Sequence, residues 1–397
     1  MPALPPWLLV IPILALLILV HELGHFITAK RFGIKVIEFG FGFPPRIFGF
    51  SHNDTIYSIN LLPIGGFVKM LGEEDPEDPR SFARQPIPIR IIVLAAGSIM
   101  NMLVAILVFT SISALPHDVV IGDISIAGVA PYSPAEQANL KVGDIIESVN
   151  GVRINKTSTL IREIQSKTDE KTQLTVRRRS IIGNISSSPE FSTVETLVIT
   201  PRKNPPALKV VSEVKYPEQE ISLEQARSYN GTLELGDTMA QGALGVLIGT
   251  TNPRMQSERL SILSALSSSM NKIVDIITYT FAGIAGWIGN GKNPGLTGPI
   301  GIAQVTGEVA KVGVRPILEL TALISISLAI VNILPIPALD GGRLLFVLIE
   351  AARGGKRISS NKEGLIHMVG FATLIGLVIL MSYFDLVRIL TGGQILQ

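Results

Sequence analysis

The segment HELGH, residues 21–25, places two imidazoles and a carboxylate in an otherwise apolar stretch of the chain. On a helix, positions i and i+4 lie on one face about 6 Å apart, so His21 and His25 could both reach one metal ion. Glu22 could direct its carboxylate at a water bound to that ion. Such a water loses its proton near neutral pH and the carboxylate can accept it, so the pattern is typical of a metal-dependent hydrolase.

A packed, hydrogen-bonded histidine is the alternative interpretation, because most histidines in apolar helices are not metal ligands. Here two of the five histidines, His21 and His25, lie four residues apart with Glu22 between them, inside a segment that could cross a bilayer. Ionisable side chains inside a membrane are costly and usually functional. We therefore favour the metal site.

A catalytic zinc ion typically has three protein ligands and an open fourth position. The chain has no cysteine, so the third ligand must be His, Asp or Glu. Glu38 is the nearest downstream carboxylate, but it follows the end of the apolar segment. Asp340 stands in the stretch NILPIPALDGG, where Pro335 and Pro337 would open a helix beside a polar cavity. Taken alone, Asp340 could equally be a helix-terminal partner of Arg343.

The composition indicates a membrane protein with some water-facing mass. Of 397 residues, 47% are hydrophobic and 17% charged, whereas soluble domains carry about a quarter charged residues. The net charge of +2 and the absence of a basic, aromatic cluster argue against nucleic-acid binding. Four apolar segments are long enough to cross a bilayer. We predict transmembrane helices over residues 7–29, 87–115, 317–339 and 366–386.

Basic residues predict the orientation of these helices, because cytoplasmic loops are enriched in Lys and Arg. Lys30, Arg31 and Lys35 follow the first span, and several arginines and lysines lie between the third and fourth. Both connections are therefore predicted to be cytoplasmic, and both termini and the long central segment extracytoplasmic. The connector 251–316 holds a weaker apolar stretch, Ile262–Ile288, which we predict to be an interfacial amphipathic helix.

The first connection contains an unusually apolar pair of candidate strands within residues 55–72. Pro63, Gly65 and Gly66 separate them and predict a turn. We therefore predict a membrane-associated β-hairpin that dips into the bilayer and lines a protein cavity. An ordinary cytoplasmic hairpin remains the alternative.

The central segment 117–250 reads as an α+β module. Asn150-Gly151 is a strong hairpin signal. Short helices are predicted over 134–138 and 158–166, and strands over 172–180, 193–201 and 242–250. The polar stretch 201–241 is predicted to be an insertion or a flexible loop.

The HELGH and NILPIPALDGG motifs, in this order and in apolar segments, resemble those of the site-2 protease family of intramembrane zinc metalloproteases. The resemblance is closest to the bacterial regulator-of-sigma-E branch, which carries an extracytoplasmic PDZ domain. It extends over most of the chain and includes GGFVKMLGE, AAGSIMN and LTGPIGIAQV. Relatives often have proline where this chain has Ser98.

The resemblance implies a site for one Zn²⁺ ion. Its ligands would be His21, His25 and Asp340, with Glu22 as the catalytic base. Asn332 would assist substrate or intermediate binding. The hairpin would present a strand edge to the substrate, formed by Gly65, Gly66, Phe67, Val68, Lys69 and Met70.

The resemblance also implies the fold class: a membrane α-helical core with four transmembrane helices and a membrane-associated β-hairpin, plus an extracytoplasmic α+β PDZ-like domain. The predicted parts are an N-terminal membrane part, a PDZ-like domain, a connector and a C-terminal membrane part. They cover residues 1–116, 117–250, 251–316 and 317–397.

The implied function is regulated intramembrane proteolysis, in a cell inner membrane, of single-span proteins such as anti-sigma factors or remnant signal peptides. The PDZ-like domain would take peptide C termini or trimmed ectodomains. One alternative is a membrane-anchored PDZ peptide-binding protein with a structural metal site, and another is a metal transporter. The presence of both Glu22 and Asp340 argues against the first, and polar residues at a single depth argue against the second. We interpret His52, His117 and His367 as surface or interfacial residues.

Overall fold

The computed structural model describes residues 5–73, 77–179, 192–216, 219–290 and 298–391. The ends of the outermost predicted domains, a part of the connector and the start of the LTGPIGIAQV motif lie outside these residues. The helices are α1 (Val10–Arg31), α2 (Ile87–Ala114), α3 (Pro134–Gln137), α4 (Thr157–Gln165), α5 (Leu223–Tyr229), α6 (Ile262–Asn290), α7 (Pro299–Val312), α8 (Val314–Ile333), α9 (Asp340–Ala352) and α10 (Ser360–Leu390). The strands are β1 (Val36–His52), β2 (Thr55–Met70), β3 (His117–Val129), β4 (Ile145–Val149), β5 (Val152–Arg153), β6 (Thr172–Arg179), β7 (Ser192–Ile199), β8 (Ala207–Val211), β9 (Glu220–Ser222), β10 (Thr238–Ala240) and β11 (Val246–Glu258).

The chain forms two compact units. The first comprises Met1–Leu115 with Arg259–Gln397, and the second comprises Pro116–Glu258. Among the described residues of the first unit, four helical segments are long and apolar enough to cross a membrane, which agrees with the four predicted spans. They are Pro6–Arg31, Ile87–Ala114, Val314–Ile333 and Asn361–Leu390.

The third span differs from its prediction. Helix α8 ends at Ile333 rather than at residue 339, and Leu334 has an extended ψ of 147°. The reason is that Pro335 and Pro337 lack an N–H and disfavour helical geometry at the residue before them. A new helix, α9, then begins at Asp340. Asp340 therefore stands at a helix N-terminus after a non-helical loop, and not at the end of the span.

The predicted hairpin over residues 55–72 is wrong in its pairing. Residues 56–59 and 66–70 of β2 both pair with residues 36–41 of β1, which lie between them. Strand β2 passes from one side of residues 36–41 to the other near Pro63 and Gly65. The φ of Gly65 is +84°. A local sequence pattern could not reveal this long-range pairing. Residues 46–52 of β1 pair with the outer side of residues 55–60, so residues 66–70 form one edge of the sheet.

The sheet of the first unit exposes many large apolar side chains. Ile47, Phe48 and Phe50 lie on β1, and Ile59 and Leu61 lie on β2. Each is more than half exposed, from 51% for Ile59 to 65% for Ile47. An exposed apolar patch of this size usually marks an interaction surface.

Helix α2 organises the helical part of the first unit. Its Phe109 is buried with Ile326 of α8 and Ile273 of α6, so the predicted interfacial helix α6 packs along α2. Near the other end of α2, Arg90 makes two hydrogen bonds to Glu350 of α9, at 2.9 and 2.6 Å. Burial raises the pKa of the Glu350 carboxyl, but the Arg90 guanidinium outweighs it and holds that pKa below its usual range. Breaking such a buried pair typically costs about 3–5 kcal/mol, so the pair fixes α9 against α2.

The second unit contains a sheet in the order β11-β3-β4-β6-β7, with β5 paired to β4. Alternate residues of these strands, including Ile124, Ile146 and Leu174, form its core together with helix α4. Asn150 and Gly151 make the predicted turn, with φ of 48° and 82°. Strand β11 starts within the predicted 242–250 strand but continues to Glu258.

The predicted insertion 201–241 is not a flexible loop in its described part. Strands β10, β8 and β9 form a small sheet in that spatial order. In the sequence, helix α5 follows β9. Leu208, Val210, Ile221 and Met239 are buried in its own core. These apolar residues are few and separated by charged ones, which is why composition alone predicted a loop.

Candidate metal centre

His21, His25 and Asp340 meet at one point in the first unit. His21 Nε2 lies 2.9 Å from Asp340 Oδ2, and His25 Nε2 lies 3.1 Å from the same oxygen. The two Nε2 atoms are 3.2 Å apart. Residues from α1 and from the start of α9, more than 300 positions apart in sequence, therefore direct three potential ligand atoms at one another.

The geometry of these three atoms fits a tetrahedral metal ion. Ligand atoms bound at about 2.0–2.2 Å in a tetrahedral site lie roughly 3.3–3.6 Å apart, a few tenths of an ångström more than the three separations above. Two imidazoles and one carboxylate are also a donor set that zinc accepts in catalytic sites, where the fourth position stays open. All three residues of the predicted ligand set are thus brought together.

The alternative partner of Asp340 is engaged elsewhere. Arg343 Nη1 lies 2.7 Å from Glu73 Oε2. The Asp340 carboxylate instead contacts both histidines, and this geometry favours the metal-ligand interpretation over a helix-terminal ion pair.

Helix α2 contacts the Nδ1 atoms of both histidines and so orients their rings. His25 Nδ1 lies 2.7 Å from the backbone oxygen of Val93, so an Nδ1–H donor leaves the Nε2 lone pair free for a metal. His21 Nδ1 faces the side-chain amide of Asn101. Neither α2 partner was predicted from the sequence, because each acts across about 70 to 80 residues of chain.

Two glycines allow α1 and α2 to approach closely at the site. A Cβ on Gly24 would lie 2.5 Å from the backbone oxygen of Ala96. A Cβ on Gly97 would lie 2.4 Å from His25 Nε2 and 2.5 Å from His21 Cε1. All three distances are below van der Waals contact, so Gly97 keeps open the space that the imidazoles occupy.

We expect Gly97→Ala to displace the two imidazoles and weaken zinc binding. Overpacking of this kind costs about 1–3 kcal/mol, which corresponds to roughly a 10- to 100-fold loss of affinity. Competition with a chromophoric chelator measures the zinc affinity. Gly376→Ala is the matched control, because a Cβ on this glycine of the fourth span meets no atom within 4 Å. Equal zinc affinity in Gly97→Ala and the parent would contradict the prediction.

Glu22 lies beside the triad and lines a cavity of about 320 Å³ with His21 and Asp340. Its Oε2 accepts a hydrogen bond of 3.0 Å from the backbone N–H of Val68. This bond fixes one carboxylate oxygen against the edge segment of β2 and leaves the other for a second partner. The predicted polar residue Asn332 lines the same cavity, as does Asn101.

The loop before Asp340 is held by the fourth span. The backbone N–H of Ala338 donates to His367 Nδ1 at 2.8 Å, and Ala338 has a positive φ of 77°. His367, which we interpreted from the sequence as a surface or interfacial residue, therefore has a specific partner that the sequence did not indicate. The histidine supports a left-handed backbone position two residues before the proposed ligand.

The six predicted substrate-binding residues have different surroundings. Gly65 and Gly66 pack close to Ile18 and Leu19 of α1. Phe67 and Val68 are half-buried and Lys69 is exposed, whereas the Met70 side chain is 5% exposed and belongs to the core. Met70 can therefore offer only its backbone at the sheet edge, and its backbone N–H already donates to Glu73 there.

Known proteins resemble this chain over nearly its whole length. The model of Peptidase family M50 matches residues 9–377. Zinc metalloprotease RasP of Geobacillus kaustophilus is 29% identical, with 93% of this chain and 95% of that protein covered. Regulator of sigma-W protease RasP of Bacillus subtilis is 28% identical, with 94% and 96% covered. Zinc metalloprotease RasP of Shouchella clausii is 27% identical, with 96% and 98% covered.

The family match covers both apolar segments that carry the triad. It confirms the predicted resemblance, the enzyme class and zinc as the cofactor. The chain belongs to Peptidase family M50, the family of site-2 type zinc metalloproteases.

Proposed function

We propose that this protein cleaves single-span membrane proteins within or near the bilayer, with His21, His25 and Asp340 as zinc ligands and Glu22 as the general base. The observation that carries this proposal is that these four residues lie together in the structure. The three ligand atoms lie within about hydrogen-bond distance of one another, and Glu22 lines the same cavity.

Zinc bound at this site would supply Lewis-acid chemistry, polarising a peptide carbonyl and acidifying a water molecule. The Glu22 carboxylate accepts the proton of the attacking water and passes it to the nitrogen of the leaving amine. Its hydrogen bond from Val68 orients the carboxylate for both transfers. Asn332 offers an amide to the substrate or to the charge that develops on it, since it lines the same cavity.

The edge segment of β2, residues 66–70, is the proposed substrate platform. Val68 directs its N–H toward Glu22, and alternate residues of a strand present their backbone groups on the same side. A transmembrane helix hides its peptide bonds, whereas an unwound segment paired to this edge would expose them while satisfying its own backbone groups. The scissile bond would then lie beside Glu22.

We expect Val68→Pro to lower the cleavage rate without loss of zinc. Proline removes the single backbone N–H of this position, which is the donor that orients Glu22 at the sheet edge. Losing a hydrogen bond to a charged group costs about 1.5–3 kcal/mol, or roughly 10- to 100-fold in rate. The assay is cleavage of a single-span substrate in vesicles, with the cut site located by mass spectrometry.

The matched control is Val68→Ala, which keeps the N–H and should cleave at a rate close to the parent. Cleavage by Val68→Pro at the parent rate would contradict the platform. A parent cut site far outside the substrate's span would contradict intramembrane proteolysis itself.

The second unit is the proposed PDZ-like domain, covering residues 117–250 with the continuation of β11. Strand β11 is a terminal strand of its sheet, and PDZ domains bind an extended peptide by adding it to such an edge. We propose that peptide C termini or trimmed ectodomains bind there. In the sequence, the small sheet of β8, β9 and β10 lies between β7 and β11 of the larger sheet.

The proposed placement is an inner membrane, with both connections between paired spans in the cytoplasm. The basic residues of these connections support this orientation. Regulator of sigma-W protease is the name of one relative, which makes an anti-sigma factor one candidate substrate and a remnant signal peptide another. The exposed apolar side chains of β1 and β2 are proposed to contact lipid.

A further inference from the structure

Asn101 faces the proposed metal centre from the second span. It is fully buried, at 0% exposure, and its side-chain amide lies 3.4 Å from His21 Nδ1. Its backbone oxygen accepts a 2.7 Å hydrogen bond from Ser325 Oγ of α8. Asn101 is therefore held next to His21 Nδ1, the ring nitrogen that is not the proposed ligand atom.

The ring nitrogen of His21 that carries the proton determines whether the Asn101 amide must act as a hydrogen-bond donor or acceptor. Because His21 directs Nε2 at Asp340, that nitrogen needs a lone pair to bind a metal. In a neutral imidazole the proton is then on Nδ1, which becomes a donor. In the structure the Asn101 Nδ2 group, also a donor, faces this His21 Nδ1 at 3.4 Å. Meanwhile the Asn101 Oδ1 acceptor is buried without a hydrogen-bond partner in the described part of the chain.

Exchange of the amide oxygen and nitrogen resolves the contact. The two groups have almost the same shape, and the hydrogen-bond network decides between them. After the exchange, Asn101 Oδ1 accepts from His21 Nδ1–H, and the NH₂ group becomes the one without a described partner. His25 has the matching arrangement, since its Nδ1 faces the Val93 backbone oxygen at 2.7 Å. Helix α2 thus supplies one carbonyl oxygen to each imidazole.

We propose that Asn101 is a positioning residue that fixes the tautomer and ring orientation of His21 for zinc binding. The inference rests on the metal centre proposed above. Partners of this kind, one bond behind the ligands, are typically worth about 10- to 100-fold in metal affinity. The contact that Asn101 makes with the triad is to His21, so its loss should act first on zinc binding.

The test is zinc affinity of the detergent-purified full chain, measured by chelator competition, for Asn101→Leu and Asn101→Asp. Leucine is similar in volume but has no acceptor, and we expect it to bind zinc about 10- to 100-fold more weakly than the parent. Aspartate keeps the acceptor, and we expect it to bind at least as tightly as the parent. Ser325→Ala is the control, because it removes the contact to the Asn101 backbone but leaves the amide in place.

The melting temperature without metal separates positioning from folding. We expect Asn101→Leu to melt close to the parent without zinc and to gain less stability when zinc is added. If leucine prevents folding, Asn101→Ala takes its place against Asn101→Asp. Parent-like zinc affinity in the variant without an acceptor, or equal weakening in the aspartate variant, would overturn the proposal. His21→Ala tests the metal centre separately, because parent-like zinc binding by that variant would refute the centre and not only the role of Asn101.

Discussion

Glu22→Gln should retain zinc and lose cleavage. Glutamine has nearly the same shape and keeps an oxygen that can accept the Val68 N–H, but its amide cannot accept the proton of an attacking water. General-base catalysis typically contributes about 10²- to 10⁴-fold, so the cleavage rate should fall by that amount. The measurement is paired: bound zinc per chain and the cleavage rate of a single-span substrate.

Glu319→Gln is the matched control for this change. Glu319 is also a carboxylate of a membrane-spanning helix, but it pairs with Arg315. It lies on the same helix as Asn332, about 20 Å away along the helix axis. We expect it to leave both zinc content and cleavage unchanged. If Glu22→Gln cleaves as fast as the parent, Glu22 is not the general base. That result would favour the alternative of a peptide-binding protein whose metal site is structural.

Asp340→Ala should lose both zinc and cleavage. The Asp340 carboxylate contributes the third ligand atom, 2.9 and 3.1 Å from the two histidine nitrogens. Removing a direct ligand should weaken zinc binding by more than the roughly 10- to 100-fold typical for an outer partner. Zinc content after dialysis and chelator competition measure this loss.

Arg343→Met distinguishes the two roles considered for Asp340. If Asp340 served to pair with Arg343, removal of either partner would have the same effect. Arg343 is paired with Glu73 at 2.7 Å, and we expect the methionine variant to keep its zinc. Loss of zinc in Arg343→Met to the level of Asp340→Ala would show that the carboxylate acts through the arginine.

The apolar segments and the metal motif could be predicted because their signals are local. A run of about 20 apolar residues specifies a span by its length, and the spacing of His21 and His25 specifies a shared helix face. The proline pair at Pro335 and Pro337 also indicated an opened helix. It did not indicate that the helix stops at Ile333 and that a second one begins at Asp340.

The features that the sequence did not predict depend on pairing between distant segments. Strand β1 lies between the two parts of β2, and no local pattern distinguishes that order from a simple hairpin. His367 supports Ala338 from another helix, 29 residues away. Gly97 and Asn101 belong to an apolar helix, and only the proximity of His21 and His25 gives them a role.

Crystals of the zinc-loaded protein, with data collected on both sides of the zinc absorption edge, would test the central claim most directly. We expect one anomalous peak per chain, within about 2.0–2.2 Å of His21 Nε2, His25 Nε2 and an Asp340 oxygen. We also expect the peak to persist in Glu22→Gln. A peak bound by other residues, or none at the triad in protein that cleaves its substrate, would contradict the assignment of the metal centre.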